Sequence, residues 1–71
     1  MDLHTRNFVE RLIRRAKRIE IVAGEGDGPG TAEIFTGARS ILAIRRRLAR
    51  ERCQGDRWAF AEIDGQRVDE I

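Results

Sequence analysis

Arginine supplies most of the chemistry this chain has to offer. Of its fourteen cationic side chains, thirteen are arginine and one is lysine. Twelve of them fall in two windows. Residues 6–18 hold Arg6, Arg11, Arg14, Arg15, Lys17 and Arg18, and residues 39–52 hold Arg39, Arg45, Arg46, Arg47, Arg50 and Arg52. A guanidinium is planar, always charged, and carries a fork of donors that fits a phosphate or a carboxylate bidentately. The acids lie elsewhere. Segments 1–18 and 38–53 have net charges of +4 and +5, while 19–37 and 54–71 have −4 and −3, so the overall +2 conceals strong alternation. The preference for arginine over lysine fits selection for planar donors and fits a GC-rich genome equally well.

Catalysis finds little material here. A nucleophilic mechanism needs a nucleophile, a base beside it and a group that orients the base. The chain has one serine, one cysteine, one histidine and no tyrosine. His4 lies near the chain start, and Cys53 follows a basic helix end, where the helix dipole disfavours a thiolate. A structural zinc site would need about four nitrogen or sulfur ligands. The glycine-rich stretch from Gly24 to Gly30 carries Glu25 and Asp27 and no cation, so it reads as a hairpin connection and not as a phosphate loop. The expectation is therefore a non-enzymatic protein with no cofactor and no metal.

The basic windows are the candidate site. Neutralisation of phosphates by arginine and lysine supplies the main, salt-dependent part of nucleic-acid affinity. Two basic helices lying side by side would form a continuous ridge. The residues expected to carry phosphate contacts are Arg11, Arg14, Arg15 and Arg18 from the first window and Arg46, Arg47 and Arg50 from the second, with Arg39 and Arg57 extending the patch. No side chain offers a defensible base-reading pattern, so each is assigned to the backbone of the nucleic acid. The competing reading is that these faces are solvated and that the acidic segments pair with them.

Arg57-Trp58-Ala59-Phe60-Ala61 alternates aromatic rings behind a basic residue. Over those five residues it loosely resembles the aromatic strand of RNA-recognition motifs, which implies rings that stack on bases. The glycine usual between the basic and first aromatic residue is missing, and the strand order differs. With only three phenylalanines and one tryptophan in the chain, Trp58 and Phe60 are expected in the core instead.

Four sets of elements must position these groups. Residues 7–18 read as an amphipathic helix, with Phe8, Val9, Leu12, Ile13 and Ala16 on one stripe and Asn7 and Glu10 at capping-box spacing. Residues 19–23 read as a strand, with a rival reading that continues the helix to Ala23. Thr31 to Thr36 make a second strand and close an antiparallel hairpin. Residues 38–52 read as a helix with Ile41, Leu42, Ile44, Leu48 and Ala49 on its apolar stripe and Thr36 or Ser40 as N-cap. Asp64-Gly65 marks a two-residue hairpin turn. It sets Ile63 opposite Gln66, Glu62 opposite Arg67, Ala61 opposite Val68 and Trp58 opposite Ile71.

The resulting order, α-β-β-α-β-β, predicts an α+β fold: a small antiparallel sheet of two hairpins with two amphipathic helices packed on it. Seventy-one residues form one domain with a small core. No basic stretch leads into an apolar run at the start, no run is long enough to span a membrane, and a lone thiol suits the reducing cytosol. The partners expected are nucleic acid or an acidic protein surface, with homo-oligomerisation, a homodimer first, as a further source of stability. In size, cysteine poverty and mixed architecture the chain resembles in general type the accessory proteins of phages and mobile elements, anti-CRISPR inhibitors among them. That resemblance implies a compact surface that docks on a host complex and inhibits it.

Overall fold

The structure is a computed structural model and describes residues 1–71. Its elements run α1 (Leu3–Arg15), β1 (Ile19–Glu25), β2 (Thr31–Ile34), α2 (Ile41–Arg52), β3 (Arg57–Ile63) and β4 (Gln66–Val68). The strands form one antiparallel sheet in the order β2-β1-β3-β4. The two hairpins meet along β1 and β3, which pair over all seven residues from Ile19↔Ile63 to Glu25↔Arg57. Because β1 is antiparallel to both β2 and β3, α2 carries the chain across the sheet from one edge of β1 to the other.

Period-two alternation decides which face the helices cover. Ile19, Ile21 and Ala23 point to the same side as Ala59, Ala61, Ile63 and Val68. Val9, Ile13 and Ala16 from the α1 segment and Ile41, Ile44 and Leu48 from α2 close over them. The core is a single cluster of thirteen buried residues, all aliphatic, with Leu12, Phe35 and Ile71 packed at its margin. Ile13, Ile44 and Ala61 have no exposed surface. Truncating one such isoleucine to alanine typically costs about 2–5 kcal/mol, a large part of the stability of a small domain.

The sequence-based boundaries shift in instructive ways. Helix α1 starts at Leu3, not at residue 7, because Asp2 caps it: its Oδ1 accepts from the Thr5 N–H at 2.7 Å. That bond holds the Asp2 carboxyl below the usual aspartate range. The helix stops at Arg15, not at 18, because Lys17 and Arg18 bond to a distant turn instead of continuing it. The Lys17 and Arg18 N–H groups donate to Oδ1 of Asp64 at 2.9 and 3.0 Å, and Asp64 N–H donates to the Arg18 carbonyl at 2.9 Å. Residues 19–23 are strand, so the extended-helix alternative fails. Helix α2 begins at Ile41 with Ser40 as N-cap, its Oγ accepting from Ala43 N–H at 3.1 Å.

The terminal hairpin turns where expected. Asp64 and Gly65 both take positive φ, 50° and 86°, and the register pairs Ile63 with Gln66, Glu62 with Arg67 and Ala61 with Val68. Strand β4 ends at Val68, however, so Ile71 does not pair with Trp58 and packs at the core margin instead. Trp58 and Phe60 are not core residues. Alternation along β3 sends Ala59, Ala61 and Ile63 inward and both rings to the face without helices. No helix is long and apolar enough to cross a membrane.

Candidate nucleic-acid interface on the helical layer

Both helices lie on the same side of the sheet, so the two arginine windows share one molecular surface. The apolar stripe of each helix faces the sheet, which turns the remaining arc outward. On α1 the exposed arginines are Arg6, Arg11, Arg14 and Arg15; on α2 they are Arg45, Arg46, Arg50 and Arg52. Where the helices meet, Arg6, Glu10 and Arg45 line one shallow cleft with Met1, Ser40 and Leu42. That cleft brings one arginine from each helix together, beside Glu10. Arg14 and Arg15 sit in the last turn of α1, and Arg50 and Arg52 in the last turn of α2, where each also faces the negative end of its helix dipole.

The nine arginines expected to contact phosphate divide sharply. Arg11, Arg14, Arg15, Arg46 and Arg50 make no hydrogen bond or ion pair within the chain and stand open to solvent. The other four bind their own molecule. Arg18 Nε lies 2.8 Å from Glu20 Oε1. Arg39 reaches back to the end of α1 and donates to the carbonyls of Ile13, at 3.1 Å, and Ala16. Arg47 pairs with Glu33 on β2 and with Glu51 one turn on, at 3.1 Å. Arg57 donates to the Glu51 backbone carbonyl and carboxylate, both at 3.2 Å.

Glu51 is therefore the centre of a small network that fastens α2 to β3 and, through Arg47, to β2. The hydrogen bond from Arg47 is the main reason its carboxyl sits below the ordinary 4.5; partial burial opposes that and Arg57 adds to it. Arg52, outside the expected set, has a comparable structural task. Its Nε and Nη2 donate to the Ala59 carbonyl at 3.1 and 2.6 Å.

Arg46 and Arg50 flank an open cleft of about 380 Å³ whose other wall is the Phe35–Ala38 turn, with Arg47 at its base. Arg11 and Arg15 flank a second cleft with Phe8 and Leu12. Each cleft thus has two arginines on its wall whose guanidinium groups have no partner within the chain. Arg6 and Arg45 stand exposed on the same layer without having been singled out from the sequence. Arg6 precedes the expected helix start at residue 7, so it had no face assigned; the Asp2 N-cap, three residues before Thr5, was the signal that would have placed it.

No group of three or more histidine, cysteine, aspartate or glutamate side chains is arranged to hold a metal ion. Cys53 is free and exposed, its thiol directed at the Arg50 carbonyl at 3.0 Å. Comparison with protein-family models, with curated proteins and with solved structures finds no match for this chain.

Proposed function

We propose that this chain is a non-enzymatic nucleic-acid-binding module that docks its helical layer on the phosphate backbone. One observation carries the reading: Arg11, Arg14, Arg15, Arg46 and Arg50, joined by Arg6 and Arg45, project from one layer and none is held by a carboxylate of its own molecule. The acids that pair internally pair with other arginines. Phosphate contact needs no more than this, and the layer offers no arrangement that reads bases. The exposed lone thiol of Cys53 suits a reducing compartment such as the cytosol.

The test is binding to generic duplex DNA and to single-stranded RNA across salt concentration. If five to seven phosphates are neutralised, the logarithm of the duplex binding constant falls against the logarithm of salt with a slope of about −4 to −6. Reversing Arg14, Arg46 and Arg50 to glutamate removes binding and leaves the circular dichroism spectrum intact. Absence of binding at about 50 mM salt overturns the reading, because the electrostatic term is near its strongest there.

A second reading has its own support. Phe8 and Leu42 stand among the arginines with 52% and 57% of their surface exposed. Apolar side chains set in a basic field suit an acidic protein surface, as an inhibitory or accessory protein of a phage or mobile element would need. In that case Leu42→Ala weakens partner capture, and nuclease treatment of the lysate does not.

A further inference from the structure

The cleft beside α2 is built differently from the other basic surfaces of the helical layer. It is lined by Arg46, Arg47 and Arg50 together with the turn that leads from β2 to α2. Arg46 and Arg50 are four residues apart on one helix, so they are surface neighbours, about 5–6 Å apart at Cβ. Thr36, Gly37 and Ala38 line the same cleft, and their backbone N–H groups and the Thr36 hydroxyl have no partner within the chain. The turn is anchored at both ends. Phe35 packs at the core margin and its N–H donates to the Ile19 carbonyl at 2.8 Å, while Ser40 N–H donates to the Ala38 carbonyl at 3.0 Å. The Phe35 ring lies so close to Gly37 that a Cβ there would fall 2.7 Å from it. The cleft between Arg11 and Arg15 has no such wall: its residues all belong to α1, and their N–H groups are committed to the helix.

We propose that the cleft beside α2 binds a dianionic phosphate monoester, the group carried by a nucleotide and by a phosphorylated end of a nucleic-acid strand. The balance of charge selects that group. Arg47 and Arg57 are matched by Glu33 and Glu51, which line the neighbouring cleft and not this one. Arg46 and Arg50 are left as two uncompensated charges. A monoester at neutral pH carries close to two negative charges and three acceptor oxygens, whereas an internal backbone phosphate carries one charge. Two guanidinium forks and a run of free turn N–H groups offer more donors than an internal phosphate can use, and successive N–H groups in a turn are a recurrent anion-binding device. The volume, about 380 Å³, lies within the range of small-ligand sites, about 300–1,000 Å³. Where the monoester is a strand end, the inference rests on the nucleic-acid reading above; where it is a nucleotide, it stands apart from that reading.

The experiment compares the affinity of the intact chain for one single-stranded oligonucleotide carrying a phosphate at its 5′ end, at its 3′ end or at neither. In parallel, amide NMR shifts are followed on addition of adenosine 5′-monophosphate alone. A phosphate at one end is expected to tighten binding about tenfold, the gain from charge-assisted hydrogen bonds to a single group. The nucleotide is expected to shift the amides of Thr36, Gly37 and Ala38. Arg46→Gln with Arg50→Gln brings the ratio between the strands to one. Arg11→Gln with Arg15→Gln removes the same charge from the other helix, weakens every strand alike and leaves the ratio unchanged. The ratio also falls as pH is lowered through about 6, where the monoester takes up its second proton, and no histidine lines the cleft. A nucleotide that binds as tightly as the phosphorylated strand identifies the nucleotide as the source of the group; a strand that binds far more tightly identifies the strand end. Equal affinity for all three strands, with no nucleotide shift at Thr36, Gly37 and Ala38, overturns the inference and leaves the nucleic-acid reading standing. A preference that survives Arg46→Gln with Arg50→Gln overturns it as well. Loss of all strand binding while the nucleotide still shifts those three amides overturns the nucleic-acid reading instead and assigns the cleft to nucleotides.

Discussion

Trp58 lies directly across from Gly24 in the central strand pair, and a Cβ at Gly24 would fall 2.3 Å from the indole. The ring thus occupies the space that any other residue's side chain would need. The same ring leaves 2.5 Å for a Cβ at Gly30. Here glycine is required by the close approach of a side chain and not by backbone conformation. Gly24→Ala is expected to cost about 1–3 kcal/mol, the usual range for an overpacked site. In Trp58→Leu the same glycine change should cost much less. A double-mutant cycle by urea denaturation measures that difference, and additivity of the two changes would show that the indole does not set the constraint.

Acid sensitivity should centre on Glu51. Its carboxyl is held below 4.5 in the fold, chiefly by Arg47. A depressed carboxylate contributes stability that is present above the unfolded value and is lost as pH falls through the lower, folded one. The melting temperature should therefore drop on acidification from about pH 4.5 downward, as expected for a carboxylate of this ordinary value. Glu51→Gln should begin with a lower melting temperature at neutral pH and show a shallower fall in that window. Parallel curves for the two proteins would place the acid sensitivity elsewhere.

Neighbouring arginines on α2 should separate stability from binding. Arg47 is 19% exposed at its side chain and holds Glu33 and Glu51, whereas Arg46 stands free. Arg47→Ala is expected to destabilise the fold by about 1–2 kcal/mol, discounted because Glu33 is largely solvated. Arg46→Ala should stay within about 0.5 kcal/mol of the parent in stability. Its effect should appear in nucleic-acid affinity, with the salt slope reduced by about one. Thermal denaturation and salt-dependent binding on both variants check the contrast; a salt slope unchanged in Arg46→Ala would remove it from the interface.

Much of this architecture was legible because its signals are local. Ile19-Glu20-Ile21-Val22-Ala23 and Ala59 to Ile63 alternate with the strand period, Asp64-Gly65 names its own turn, and Ser40 stands before a helical stripe. The candidate site was legible as two basic windows but not residue by residue. Whether an arginine is free depends on what the fold brings to it. Glu33 reaches Arg47 only because β2 pairs with β1 in one register, and Arg39 finds the end of α1 only after both helices dock. The turn that follows α1 was hidden for the same reason, since the carboxylate that accepts its N–H groups lies 46 residues away in sequence. Trp58 and Phe60 misled because composition suggests a core for large rings, while alternation along β3 assigns that face to the smaller Ala59, Ala61 and Ile63.

Asp64 should prove more important than its exposed position suggests. It occupies a left-handed backbone position at φ 50°, and its carboxylate accepts the two N–H groups that link α1 to β1. Alanine loses both bonds and tolerates that backbone poorly, so Asp64→Ala is expected to cost about 2–3 kcal/mol. Asparagine keeps an acceptor and enters the left-handed region more readily than most residues, so Asp64→Asn should cost less than half as much. Glycine removes the strain but not the loss of the two bonds, and should fall between them. Urea midpoints for the three variants supply the order. If alanine and glycine prove equal, the backbone conformation contributes nothing and the capping bonds account for the whole effect; if asparagine is as costly as alanine, the charge of the carboxylate, and not its oxygen as an acceptor, holds the junction.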